Sequence, residues 1–118
     1  HDNSPVELWR HEAAPEDIAY AKRYLGLNEE EGFHWGILRG GQSSVADLFV
    51  AQMQDYLGLG EYHRMNIPGI LGGNWQWRLL PGEASDELAK KIYDMTVMYS
   101  RTEKRVEETT EEAAAEAK

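Results

Sequence analysis

The feature that most restricts what this chain can become is the short apolar run Val45-Ala46-Asp47-Leu48-Phe49-Val50-Ala51, bounded on both sides by polar residues. Its length suits a strand buried on both faces, as in a parallel sheet covered by helices. A buried helix turn is the rival reading, and periodicity alone does not separate the two. As a strand it needs neighbours in a sheet, and the rest of the chain does not supply them. The run therefore reads as one strand of a larger α/β architecture.

The segments around it read as helices. Pro15 fits a first helical turn, where its missing N–H costs nothing. Glu16 and Asp17 follow at the positive end of the helix dipole. Ile18, Ala21 and Leu25 share a face, and Gly26 can close the helix in the left-handed region. A helix is expected over 15–25. A second is expected over about 30–43, with Phe33, Ile37 and Gly41 on one face. Its Gly40-Gly41 pair costs about 1 kcal/mol per glycine relative to alanine, so a packing reason for the glycines is expected. The third spans 85–101, with Ser85 as N-cap, Asp86 and Glu87 in the first turn, and a stripe of Leu88, Ile92, Met95 and Tyr99. Beyond it, 102–118 reads as an acidic tail, a frayed helix or disordered.

Between Gln54 and Pro81 the composition shifts. Gly58, Gly60, Gly69, Gly72, Gly73, Pro68 and Pro81 punctuate a stretch that carries Trp75, Trp77, Arg64, Asn66, Asn74 and Arg78. A loop of this length is uncommon in a domain unless it is functional. Asparagine offers a donor and an acceptor, which suits neutral hydroxyls. Tryptophan offers a broad apolar face, which suits the C–H face of a pyranose. The competing reading is a structural loop with its arginines in ion pairs; for Trp75 and Trp77, core packing is the stronger expectation.

Composition narrows the partners. A formal charge of −9 opposes a phosphate backbone, and no basic patch with interleaved aromatics exists, so nucleic acid is not expected. No apolar run is long enough to span a bilayer, so no membrane partner is expected. There is no cysteine, which removes disulfide and thiolate chemistry and favours the cytoplasm. No cofactor is implied. A copper site on His1 would need a second ligand from His11, His34 or His63, and their spacing shows no ligand cluster, so no metal is expected. The first residues, His1-Asp2-Asn3, place an imidazole beside a carboxylate. That pair can hydrogen-bond vicinal sugar hydroxyls, although alone it is also an ordinary exposed dipeptide.

Taken in order, these blocks resemble one family. His1-Asp2-Asn3, then Gln54-Asp55-Tyr56-Leu57-Gly58-Leu59-Gly60, then Arg64-Met65-Asn66 with Pro68-Gly69, and Gly73-Asn74-Trp75 with Trp77-Arg78 are similar to the signatures of the amylomaltases, the 4-α-glucanotransferases of glycoside hydrolase family 77. The resemblance covers about 1–100. Ser4-Pro5 and Gly40-Gly41 depart from the family pattern without removing a named functional residue.

The resemblance implies a (β/α)8 barrel, of which 1–101 would be a C-terminal portion: mostly helical, with one or two barrel strands. A whole barrel takes about 250 residues. On this reading 45–51 is the eighth strand and 52–81 its long active-face loop. The implied reaction transfers a glycosyl group between α-1,4-glucans or maltooligosaccharides by a retaining double displacement. Asp2 matches the family carboxylate that binds sugar hydroxyls and stabilises the transition state. His1 and Asn66 match sugar-binding residues. The nucleophile and the acid/base lie earlier in the family's sequences, so the fragment alone is expected to be inactive. The alternative reading is a non-catalytic helical interaction domain built on the Leu88–Tyr99 stripe.

Overall fold

The computed structural model of the chain describes residues 1–103. Its elements are α1 (Val6–Glu12), α2 (Pro15–Leu25), α3 (Phe33–Gln42), α4 (Met53–Leu57), a single 3-10 turn (Glu61–His63) and α5 (Asp86–Met98). The chain divides into two units, His1–Ala84 and Ser85–Lys118.

In the first unit α3 is the hub, with α1, α2 and α4 each packed on it. Leu8 from α1 and Phe33, Trp35 and Leu38 from α3 form the buried apolar core, and Leu38 is 1% exposed. The buried face of α3 is thus Phe33, Trp35, Leu38 and Gln42, turned from the expected Phe33–Ile37–Gly41 line. The glycines of α3 have the packing reason their cost demands. A Cβ on Gly41 would lie 2.1 Å from the Phe49 ring, and one on Gly36 would lie 2.4 Å from the end of Leu27. The bare helix surface lets these side chains seat against it.

The helix expected over 15–25 forms with those bounds: Pro15 opens it, and Gly26 closes it at φ 62° with its N–H on the Lys22 carbonyl. Arg39 then ties α2 to α3. Its Nη2 donates to the Leu25 carbonyl at 2.6 Å, and its Nε donates to Glu31.

Residues 45–51 depart from expectation. They form no strand, and no strand is present among the described residues. Val45, Leu48 and Val50 are 103%, 78% and 79% exposed. Phe49 turns inward, onto Gly41, and Ala51 is half-buried. A strand is defined by the ladder it makes with a neighbour, and no neighbour is present here. The described chain is therefore helical with irregular connections rather than visibly α/β.

The second unit, described by itself, is α5. Ser85 caps it, its Oγ accepting from the Leu88 N–H at 3.1 Å, with Asp86 and Glu87 in the first turn. It ends at Met98, short of the expected 101. The 102–118 tail lies outside the described residues from 104 onward.

Candidate functional site

The site begins with a buried carboxylate that lies outside the predicted set. Asp55, at 7% exposure, accepts from the Val6 N–H at 2.8 Å and from the Gln52 N–H at 3.2 Å. One oxygen closes the capping box of α4, and the other satisfies an orphan donor at the start of α1. The two helix ends are thereby fastened together. Gln52 extends the link, its Nε2 donating to the Asn3 carbonyl at 3.2 Å. The short segment ahead of α1 is held from both ends by residues that lie about fifty positions away.

Arg64 completes the fastening. Its Nη2 donates to the Asp2 carbonyl at 2.8 Å, its Nη1 to Ser4 Oγ at 3.4 Å and its Nε to the Asn66 carbonyl at 3.1 Å. The planar fork reaches both segments at once, which lysine cannot do. The competing reading of the loop put its arginines in ion pairs. Arg64 instead spends its donors on backbone carbonyls and a hydroxyl.

These fastenings bring the three predicted site residues together. Asn66 Nδ2 donates to Asp2 Oδ1 at 2.7 Å, and His1 Nδ1 lies 2.7 Å from the same oxygen. The Asp2 side chain remains 62% exposed, so a carboxylate oriented by an amide and an imidazole faces solvent. Asp2 also lines an open cavity of about 640 Å³, with Asn3, Ser4 and Arg64 on its polar rim and Trp9, Ile37 and Pro68 on its apolar wall. A polar rim facing apolar surface suits a neutral polyhydroxyl ring: the carboxylate and amide take hydroxyls, and the wall takes C–H. Among the described residues, no group of three or more His, Cys, Asp or Glu side chains is arranged to hold a metal ion.

The loop walls are built by amide side chains. Asn74 accepts from the Ile67 N–H at 2.9 Å through Oδ1 and donates to the Ile70 carbonyl at 2.8 Å through Nδ2, closing the turn between them. Gln54 Nε2 donates to the His63 carbonyl at 3.0 Å.

The two tryptophans diverge. Trp77 is half-buried, short of the expected core packing, and its indole N–H donates to His63 Nδ1 at 3.1 Å. Trp75 overturns that expectation. It is 60% exposed, and its ring lies 4.7 Å from the His1 ring at 52°. Its φ of 64° is left-handed, a conformation costing a bulky residue about 1–3 kcal/mol. The Trp75 N–H donates to the Met65 carbonyl at 2.6 Å, which fixes it beside the Arg64–Asn66 segment.

Asp55 and Arg64 were visible in the sequence only as parts of a motif. The Gln52-to-Asp55 spacing is a capping-box signal, but the Val6 partner is set by the fold. Trp75 carried a sequence signal, an aromatic face suited to a pyranose within a glycine-rich block, but core packing was the stronger expectation.

A family profile described as 4-alpha-glucanotransferase matches residues 1–83. The chain is 43% identical over 104 residues to a 4-alpha-glucanotransferase of Clostridium butyricum, covering 87% of this chain and 21% of that protein. It is 43% identical over 100 residues to one of Thermus thermophilus, covering 80% and 20%. It is 39% identical over 104 residues to a chloroplastic/amyloplastic one of Solanum tuberosum, covering 86% and 18%. Among solved structures, the amylomaltase of Streptococcus agalactiae in complex with acarbose superposes with a TM-score of 0.80 at 30% identity, over 85% of this chain and 20% of that one. The chain thus spans about a fifth of the length of the relatives it matches.

Proposed function

The chain belongs to glycoside hydrolase family 77, the 4-alpha-glucanotransferases, and on that premise we propose that it is the C-terminal portion of such an enzyme, supplying the sugar-gripping side of its active site. The transferred group comes from an α-1,4-glucan or maltooligosaccharide and passes to the 4-hydroxyl of another. In a retaining double displacement one carboxylate attacks the anomeric carbon while an acid protonates the leaving oxygen. The acceptor hydroxyl then displaces the enzyme carboxylate, giving up its proton to the same group, now a base. Both of those carboxylates belong to the remainder of the protein.

Asp2 is the catalytic residue of this chain. Its negative charge faces the sugar as positive charge develops on the ring, and its oxygens accept hydroxyl hydrogen bonds that strengthen in the transition state. His1 and Asn66 bind substrate and hold Asp2 in place. On the same reading 1–101 is the end of a (β/α)8 barrel, 45–51 pairs as a strand with the rest of it, and 102–118 is an appended tail. The cytoplasmic placement belongs to the proposal as well, with the plastid as the alternative suggested by the potato relative's name.

The observation that carries this reading is the 2.7 Å bond between Asn66 and Asp2, which joins two motif blocks 64 positions apart at one carboxylate. The test is disproportionation of maltotriose by the full-length protein. Asp2→Asn keeps the size of the side chain and removes the charge, and a fall in kcat of about a hundredfold or more is expected. A variant within twofold of wild type would remove Asp2 from catalysis. Transfer activity from the 118-residue chain alone would show that the nucleophile is not elsewhere.

A further inference from the structure

We propose that Trp75 is a substrate-binding residue, its indole a stacking platform for a glucosyl ring adjoining the one gripped by Asp2, His1 and Asn66. This rests on the glucan reading above and adds a residue to it.

Three observations converge. The first is backbone conformation. At Gly69, Gly72 and Gly73 the loop takes positive φ with glycine, which has no side chain to object. At Trp75 it takes φ 64° with the bulkiest side chain available. A glycine would satisfy that backbone, so the indole serves some other end. Strain of this kind points from an outlier toward function.

The second is that packing among the described residues does not provide that end. Trp75 is 60% exposed, whereas Trp77, two residues on, is half-buried with its N–H on His63. The third is location. The indole lies against His1, whose Nδ1 is 2.7 Å from Asp2 Oδ1. A broad apolar ring beside a carboxylate, an imidazole and an amide is the arrangement a pyranose needs, C–H face on one side and hydroxyls on the other. The bond from the Trp75 N–H to the Met65 carbonyl holds the platform at a fixed place relative to Asn66.

The test uses the full-length protein with maltotriose as substrate and acarbose as probe, comparing Trp75→Gly, Trp75→Ala and Trp75→Phe. Trp75→Gly relieves the backbone while removing the ring, so stability and binding are expected to move in opposite directions. The melting temperature holds or rises. KM for maltotriose and Kd for acarbose rise about three- to tenfold, the range of one aromatic contact. kcat changes less than either. Trp75→Phe restores part of the affinity, and the acarbose-induced change in tryptophan fluorescence shrinks in all three variants.

An active wild type whose Trp75→Gly and Trp75→Phe forms keep KM and Kd within twofold would overturn the proposal. If Trp75→Gly does not fold, an undiminished fluorescence response in Trp75→Phe overturns it equally. A wild type that neither binds acarbose nor disproportionates maltotriose would overturn the glucan reading itself, a different failure.

Discussion

The helices that precede residue 59 and the loop of 59–84 are held by different forces. Every buried residue among those described lies in or beside the helices: Pro5, Leu8, Phe33, Trp35, Gly36, Leu38, Gln42, Gln54 and Asp55. The loop buries none of its residues, yet it is cross-linked by Arg64, Asn66, Asn74 and Trp77 through directed hydrogen bonds. Apolar packing tolerates small shifts and fixes shape only collectively. Hydrogen bonds of fixed geometry place individual groups, which a site requires. The helical part supplies the platform, and the loop supplies the placement.

That contrast can be broken by substitution in the full-length protein. Leu38→Ala should cost about 2–5 kcal/mol, because it empties a fully buried volume; a urea midpoint unmoved by it would deny α3 its role as hub. Gly41→Ala should cost about 1–3 kcal/mol through displacement of the Phe49 ring, even though alanine is the better helix former. A gain in stability would mean that the ring yields freely. Asn74→Ala removes two loop hydrogen bonds at exposed positions and should cost about 1 kcal/mol. It should raise KM for maltotriose while lowering the melting temperature less than Leu38→Ala does. Equal loss of stability from Asn74→Ala and Leu38→Ala would erase the distinction between the two regions. Smallest is Lys90→Ala, which breaks an exposed pair with Asp94 in α5 and should move stability by less than about 0.5 kcal/mol.

What could be read in the sequence follows the same line. Helix α2 was legible because Pro15 and Gly26 act on their own backbone. Helices α1 and α4 were not. Each is short, and the N-terminal donor of α1 is met by Asp55, 49 positions away, with Pro5 offering no capping side chain. The strand expected over 45–51 depends on a partner, so no local pattern could secure it. Asp2, His1 and Asn66 were legible through the resemblance of whole blocks, and their convergence on one oxygen then came from the fold. Trp75 and Trp77 sit in nearly identical local sequence. Trp77 reaches His63 and Trp75 reaches His1, and neither partner is adjacent in the chain.

Arg64 also sets an order of events. It holds the Asp2 carbonyl from 62 positions downstream. On a ribosome, the first residues of this stretch emerge well before the guanidinium that fixes them, and closing so long a loop carries an entropic cost. The segment that carries Asp2 therefore gains this tie only after the chain has been extended through Arg64. Until Arg64 has been made, the hydrogen bond that holds the Asp2 carbonyl cannot form.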